Sequence, residues 1–443
     1  MKPGTLDDAD QPTAEPPSPS GPAGASTNEQ GTNEQGTNER RDYEQLFTTY
    51  AARVKGYLVR RGLSPAAAED LTQEVVLTAW TRNADDDDAL DAQLFSVARD
   101  RCLGMRRRAT RPQAIPSDPC WVAAESAAIS TSSHSLPQLV GNLAAEQLDA
   151  LRQLYLDGRT IAEAANILGV ASSTVQTRAL SATATIATQL HSDDNHMPAA
   201  ASTARTSSPP SQPPRHIAHH HPAHHPPTEE LLSYAVGASE LWLDVLVACH
   251  LTYCPTCRNV VAVQDAIGGA LLELYRNELE ASVSKPTRRK DPTHRLGPST
   301  PAYQRKPTRR VPDDIARNVP RPLHPFMRDP MPRFRKHLLG IEDIPLNLAA
   351  GGRPVRLLRL KPGFVIDSHG HAGLEWMLIL TSKIRDERSG DTFARGDVSR
   401  RDESDVHRQI VDPNAHCIAV IAHLGPSLPK TLTGRLLARV TGL

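Results

Sequence analysis

The sequence predicts a multidomain α + β protein. It reads as all-helical segments over residues 41–283, then a small antiparallel β-barrel over 346–443, with long disordered linkers between. In the first part apolar residues recur at helical spacing. After residue 346 they switch to period 2 and to β-branched side chains. The 37 prolines and 4% aromatic content leave much of the 443-residue chain unable to build a core. Formal net charge is zero, so any DNA contact must come from local basic patches. The six cysteines, at 102, 120, 249, 254, 257 and 417, are too few and too uneven for a disulfide framework, which indicates a reducing compartment. The start of the chain is polar and proline-rich, so no secretion signal is expected there. The most apolar stretch, Leu231–Leu251, is interrupted by Glu240 and Asp244, as expected of an amphipathic helix pair rather than a membrane span. A cytoplasmic protein with no membrane partner is expected.

Residues 1–40, with the repeat Thr27-Asn-Glu-Gln-Gly31, Thr32-Asn-Glu-Gln-Gly36, read as a disordered tail. Over 41–110, Leu46, Phe47, Tyr50, Val54, Tyr57 and Leu58 mark one helix. Ser64-Pro65 supplies an N-cap and a proline at the first position of the next. That second helix buries Leu71, Val75, Thr78 and Ala79 and leaves Asp70, Gln73 and Glu74 outside. A third runs through Leu94-Phe-Ser-Val-Ala-Arg-Asp-Arg101 into Arg106-Arg-Arg108. This order of segments resembles region 2 of the extracytoplasmic-function sigma factors. The resemblance implies that Asp70, Gln73 and Glu74 face the RNA polymerase core. It also implies that Arg99, Arg101, Arg106 and Arg107 meet the −10 element of promoter DNA. Asp100 stands where the family has asparagine, and Gly104 where it has an acidic residue.

Residues 111–140 read as a Pro/Ser/Ala linker. Over 141–190, Leu143–Leu156 and Thr160–Leu168 are helices, Gly169 allows a tight turn, and Ser172-Ser-Thr-Val-Gln-Thr-Arg178 opens a third helix. Small residues at the crossing and short polar side chains on the last helix make a helix-turn-helix pattern. It resembles region 4 of the same sigma family, where this helix reads the −35 element. The candidate DNA-binding residues are therefore Ser172, Ser173, Thr174, Gln176, Thr177 and Arg178. With Arg178 alone basic among them, binding by this module on its own is expected to be weak.

After a Pro/His-rich linker over 191–224 comes His250-Leu-Thr-Tyr-Cys254-Pro-Thr-Cys257 within 225–283. His250 and Cys254 are one helical turn apart, and the Cys-x-x-Cys step brings Cys257 to the same point. Two thiolates and an imidazole suit tetrahedral Zn²⁺ and lack a fourth ligand, for which an upstream histidine such as His225 is a candidate. The stretch "LLSYAVGASELWLDVLVACHLTYCPTCRNVVAVQDAIGGALLE" looks like the N-terminal zinc-binding domain of ChrR-type anti-sigma factors. That resemblance assigns zinc to His225, His250, Cys254 and Cys257, with His224 the substitute if the register slips by one. In the family this domain wedges between sigma regions 2 and 4 and hides their polymerase-binding surface. Residues 284–345 read as a basic, Pro-rich linker.

In 346–443, "VRLLRLKPGFVI", "EWMLILTSKI" and "HCIAVIAHL" are strands separated by turns at Pro362-Gly363, Ser389-Gly390 and Arg395-Gly396-Asp397. His369 and His371 share one side of a strand, Glu375 has their parity, and His407 arrives from a neighbour. Such a set suits a divalent metal: zinc, iron, manganese or nickel. Gly363-x5-His369-Gly-His371-x3-Glu375 resembles the first cupin motif, with Ser382 where the motif has glycine. The module looks like the C-terminal cupin of the ChrR family. Taken together, the expectation is a regulator and not an enzyme: a sigma factor fused to its own zinc-dependent anti-sigma factor and cupin sensor, making an intramolecular contact. The resemblance implies transcription initiation in response to oxidative stress from singlet oxygen or peroxide. Two alternatives are a metal-dependent cupin enzyme, dioxygenase- or isomerase-like, with a degenerate sigma half, and an anti-sigma factor acting in trans.

Overall fold

The computed structural model describes residues 42–110, 135–194, 221–284 and 315–430, apart from 83, 85, 316, 328–332 and 338–339. The expected disordered tail, residues 1–40, lies outside the described residues. So do residues 111–134, 195–220 and 285–314 of the expected linkers.

The N-terminal helices are α1 (Tyr43–Arg60), α2 (Pro65–Arg82) and α3 (Asp87–Thr110). The Ser64 hydroxyl accepts the Ala67 amide at 3.2 Å, so Ser64 does cap α2. Next come α4 (Leu136–Gly141), which starts inside the stretch expected to be linker, and α5 (Ala145–Leu151), which continues as a π turn over Arg152–Leu156. α6 (Ile161–Leu168) opens on a Thr160/Glu163 capping box and closes on Gly169 in the left-handed region, and α7 (Ser172–Asp194) follows. The central helices are α8 (Thr228–Ala235), α9 (Leu241–Leu251), α10 (Pro255–Leu274) and α11 (Arg276–Ser284).

The C-terminal part is not one closed barrel. It forms two antiparallel sheets from β1 (Arg335–Lys336), β2 (Ile341–Ala350), β3 (Arg353–Leu360), β4 (Val365–His371), β5 (Glu375–Thr381), β6 (Lys383–Asp386), β7 (Thr392–Ala394), β8 (Val398–Arg401), β9 (Val406–Val411), β10 (Cys417–His423) and β11 (Ser427–Pro429). The larger sheet has the order β1-β2-β3-β10-β5-β8 and the smaller β11-β4-β9-β6-β7. Leu358, Met377, Ile379 and Ala419 of the first meet Ile384, Phe393 and Val411 of the second in a shared core. The linker expected over 284–345 ends earlier than composition suggests. Ile315, Val319, Leu323 and Phe326 are buried against the outer face of the larger sheet, because that face is apolar as well.

The central helices lie between two cores. Leu232, Val236 and the C-terminal half of α10, including Ile267 and Leu271, join the core of α1–α7. Trp242, Leu246, Cys254, Cys257 and Val261 join the outer face of the larger sheet, where Trp376, Leu378 and Val420 are buried. α10 thus belongs to both. Its backbone approaches α3 closely, since a Cβ on Gly268 would sit 2.3 Å from the Phe95 ring and one on Gly269 would sit 2.4 Å from the Asp91 carbonyl carbon. No helix among the described residues is long and apolar enough to cross a membrane.

Candidate metal centres and the covered face of α3

Two groups of side chains have the donors to hold a metal ion, and within each the donor atoms lie within 4.8 Å of one another. The first is His225, His250, Cys254 and Cys257. His250 and Cys254 do not share one continuous helix. His250 lies in the last turn of α9 and Cys254 is the N-cap of α10, but the Cys254 amide still donates to the His250 carbonyl at 3.0 Å, so the one-turn spacing survives the break. Pro255 at the first position of α10 fixes the turn, and the Cys257 amide donates to Cys254 Sγ at 3.3 Å. His225 Nδ1 lies 3.3 Å from Cys254 Sγ and 3.4 Å from Cys257 Sγ. Bonds of about 2.0–2.3 Å to a tetrahedral ion put neighbouring ligand atoms roughly 3.3–3.8 Å apart, so this spacing fits zinc.

His250 supplies a second sign of fit. Its Nδ1 lies 2.7 Å from the Gly396 carbonyl, and its Nε2 is buried without a protein partner. A carbonyl can only accept, so Nδ1 carries the proton and Nε2 holds the free lone pair. Burial, opposed by that carbonyl, lowers the His250 pKa to about 4. Burial, with the Cys254 thiol adding to it, pushes the Cys257 thiol up to about 12. Both groups are therefore neutral near pH 7, and a metal bound here would displace the Cys257 proton. His224, the alternative ligand, turns away instead: its ring stacks against Phe393 and its Nδ1 lies 3.5 Å from Asp397.

The second group is His369, His371, Glu375 and His407. Strand register assembles it. His369 of β4 lies opposite His407 of β9, and Glu375 opens β5. Nε2 of His407 is 3.1 Å from Nε2 of both His371 and His369, and Glu375 carboxylate oxygens lie 3.6–3.9 Å from the three rings. Three imidazole nitrogens converging beside a buried carboxylate are a donor set for a borderline or hard divalent cation. Burial lowers the His407 pKa to about 4. Burial would raise the Glu375 carboxyl, but His369, His423 and His371 outweigh it and hold the group well below the usual range, so it is ionised.

Sequence reading missed three members of this site. His423 lies opposite Glu375 in the β10–β5 register, is buried, and brings Nδ1 to 3.3 Å from Glu375 Oε2. Asp386 Oδ2 lies 3.3 Å from His407 Nδ1 and accepts Arg401 at 3.0 Å. His423 sits in "HCIAVIAHL", where the final histidine interrupts an otherwise apolar run. That was the available signal. Nothing local marks Asp386 or Arg401. Ser382, at the motif's glycine position, has φ 61°, alone among the described non-glycine residues. The backbone there keeps the conformation glycine provides.

The expected polymerase and DNA residues have mixed fates. Asp70, Gln73 and Glu74 remain exposed, and Glu74 pairs with Arg101 at 2.9 Å. The central helices therefore do not cover this face of α2, contrary to the expectation that they hide it. Arg99 is not on the surface: it is 2% exposed, its guanidinium bonded to Asp265 of α10 and the Ala235 carbonyl. α10 covers this face of α3. Burial works against the Arg99 charge, but Asp265 and Asp100 overcome it and hold the pKa above its ordinary value. Arg106 and Arg107 lie in the last turns of α3, and their side chains fall outside the described residues. Ser172, Ser173 and Thr177 are exposed at the start of α7, with Thr174, Gln176 and Arg178 half-buried. Other pairs tie the central helices to the first seven: Arg53 with Glu273, Tyr155 with Gln264, and Arg152 with Glu278 at 2.5 Å.

Residues 46–112 match the family model for Sigma-70 region 2. The chain is 29% identical over 206 residues to the anti-sigma-E factor ChrR of Cereibacter sphaeroides, covering 44% of this chain and 87% of that protein. Among solved structures it is similar to Rhodobacter sphaeroides SigE in complex with the anti-sigma ChrR, at 25% identity over 46% of this chain and 99% of that one, with a TM-score of 0.33. It is also similar to a Ralstonia eutropha protein with a cupin-like fold, at 16% identity over 21% of this chain and 61% of that one, with a TM-score of 0.20. Residues 46–112 thus match Sigma-70 region 2, and 44% of the chain is similar to an anti-sigma factor.

Proposed function

We propose that the chain is a transcription initiation factor silenced by its own C-terminal half. Residues 42–190 act as an extracytoplasmic-function-type sigma factor toward RNA polymerase core and promoter DNA, and α8–α11 act as the anti-sigma element. The observation that carries this reading is Arg99: a candidate promoter contact on α3 is buried and neutralised by Asp265 of α10. A buried arginine cannot meet phosphate or base, and freeing it means removing α10. Because the expected polymerase face of α2 stays open, silencing acts through α3 and through the fixed arrangement of the helical modules around α10.

In this reading His225, His250, Cys254 and Cys257 hold zinc, which fixes the α9–α10 turn and so the direction of α10. His369, His371, Glu375 and His407 hold a second divalent ion, to which a signal such as singlet oxygen or a peroxide is addressed. The donor chemistry supports the division. Thiolate-rich closed sites are structural, whereas His/carboxylate sites exchange ligands and take small molecules. Because the silencing element is tethered, it stays at an effective concentration on the order of mM, and release needs a conformational change or cleavage of a linker. The test is transcription from core polymerase by the full chain and by residues 41–190. The reading expects the fragment to be active and the full chain to be nearly silent; equal activity would remove autoinhibition from the account.

A further inference from the structure

One turn of the C-terminal sheet orients the His250 ring and anchors the backbone just before His225. The Gly396 carbonyl accepts a hydrogen bond from His250 Nδ1 at 2.7 Å, across 146 residues of sequence. Asp397, 1% exposed, accepts the amides of Ala223 at 2.7 Å and His224 at 3.0 Å through Oδ1, and that of Ala394 at 2.7 Å through Oδ2. The Val398 amide then donates to the His224 carbonyl at 3.1 Å. Three hydrogen bonds therefore hold the residues immediately before His225. Gly396 has φ +92°, and a Cβ there would lie 2.8 Å from Pro222 Cγ and from Tyr253 Cβ, so only glycine lets the turn approach this closely.

We propose that the Arg395–Val398 turn is an outer-shell positioning element of the Cys/His cluster, so that this cluster retains its metal only while the sheet stays docked on it. The proposal rests on reading the cluster as a metal site. Fixing Nδ1–H on a carbonyl selects the tautomer that offers Nε2 and raises its basicity, as outer-shell acceptors of ligating histidines do. With the turn withdrawn, His250 loses its acceptor inside an apolar surround and can rotate, and the His225 segment loses its anchors. Undocking of the sheet then speeds metal loss without any chemistry at the two thiolates.

The experiment uses the full-length chain loaded with Co²⁺, because thiolate-to-cobalt charge-transfer absorption reports the Cys254/Cys257 cluster and not the sheet cluster. Decay of that band under excess EDTA gives the release rate. Asp397→Ala is expected to speed it at least tenfold, as it would if the loss of about 10–100-fold in metal affinity typical of outer-shell changes falls on release. Asp397→Asn, which keeps the Oδ1 acceptor, is expected to restore most of the slow release. If the alanine variant lacks wild-type helicity, Gly396→Ala is the substitute and should show the same acceleration. Unchanged release in folded Asp397→Ala or Gly396→Ala overturns the proposal and leaves the metal assignment standing. A wild-type chain with no charge-transfer band overturns the metal assignment and the proposal with it.

Discussion

The two candidate metal centres are carried by different kinds of structure, a helix joint and a pair of sheets. The central one is local: three of its four residues fall within His250–Cys257, at the joint between α9 and α10. The second also takes three residues from one short stretch, His369–Glu375, but they sit on strands of two different sheets, β4 and β5, and His407 of β9 completes the set only through strand register. A local site can nucleate the helices that carry it, whereas a register-built site exists only after its sheets have formed. The central cluster has soft donors and an exposed edge at His225, while the second is all nitrogen and oxygen and is enclosed by His423, Asp386 and Arg401. The contrast separates holding a shape from answering a ligand.

The sharpest way to break that contrast is to remove a thiolate. Cys254→Ser or Cys257→Ser is expected to lose about one equivalent of zinc, measured by elemental analysis. It should also lower the thermal midpoint by on the order of 10 °C, since structural zinc contributes its binding energy to folding. Retention of zinc and midpoint in such a variant would defeat the structural role.

A smaller effect is expected at the second centre. Glu375→Ala or His371→Ala should abolish metal at the sheets and leave the central equivalent in place, because the strand core of Leu358, Ile379 and Val411 does not depend on the ion. Silencing should persist in these variants and induction by oxidant should vanish. A Glu375→Ala protein that still responds to oxidant would show that this cluster is not the sensor.

Legibility follows the same division. The His-x3-Cys-x2-Cys spacing and the His-x-His-x3-Glu spacing are local, and both sets are found together in space. The Ser64 cap and the Thr160/Glu163 box also sit in the sequence as written. His423, Asp386 and Arg401 reach their site through strand pairing, which no window of sequence shows. Arg99 was illegible for another reason. A basic residue on a helix reads as surface unless the acid that buries it is known, and Asp265 is 166 residues away.

That covered face also titrates. Burial pushes Asp91 up to about 7 against the pull of Arg53, and Asp265 up to about 6 against Arg99. An unfolded aspartate sits near 3.9, so between these values the folded form binds more protons. Stability tied to Asp91 is therefore present at low pH and lost as pH rises through about 7. Across pH 5–7 the denaturation midpoint of the metal-loaded protein should fall more steeply than that of Asp91→Asn, and above pH 7 the two curves should run parallel. Parallel curves across the lower range as well would contradict the assignment.

The smallest effect concerns Ser382. At φ 61° it carries a side chain where glycine is unstrained. Ser382→Gly is expected to stabilise the sheets by about 1 kcal/mol or less, after the entropy cost of glycine in the unfolded chain. Denaturant titration would detect it, and a destabilised variant would mean the hydroxyl holds a partner.

The most direct measurement is promoter-dependent transcription by core polymerase with the full chain, the 41–190 fragment and full-length Gly268→Leu. In the last, a large side chain is forced against Phe95, so α10 cannot seat on α3 while both metal clusters keep their residues. Autoinhibition through α10 predicts strong transcription with the fragment and with Gly268→Leu, and little with wild type. Full activity of the wild-type chain, or silence of Gly268→Leu beside an active fragment, would contradict it.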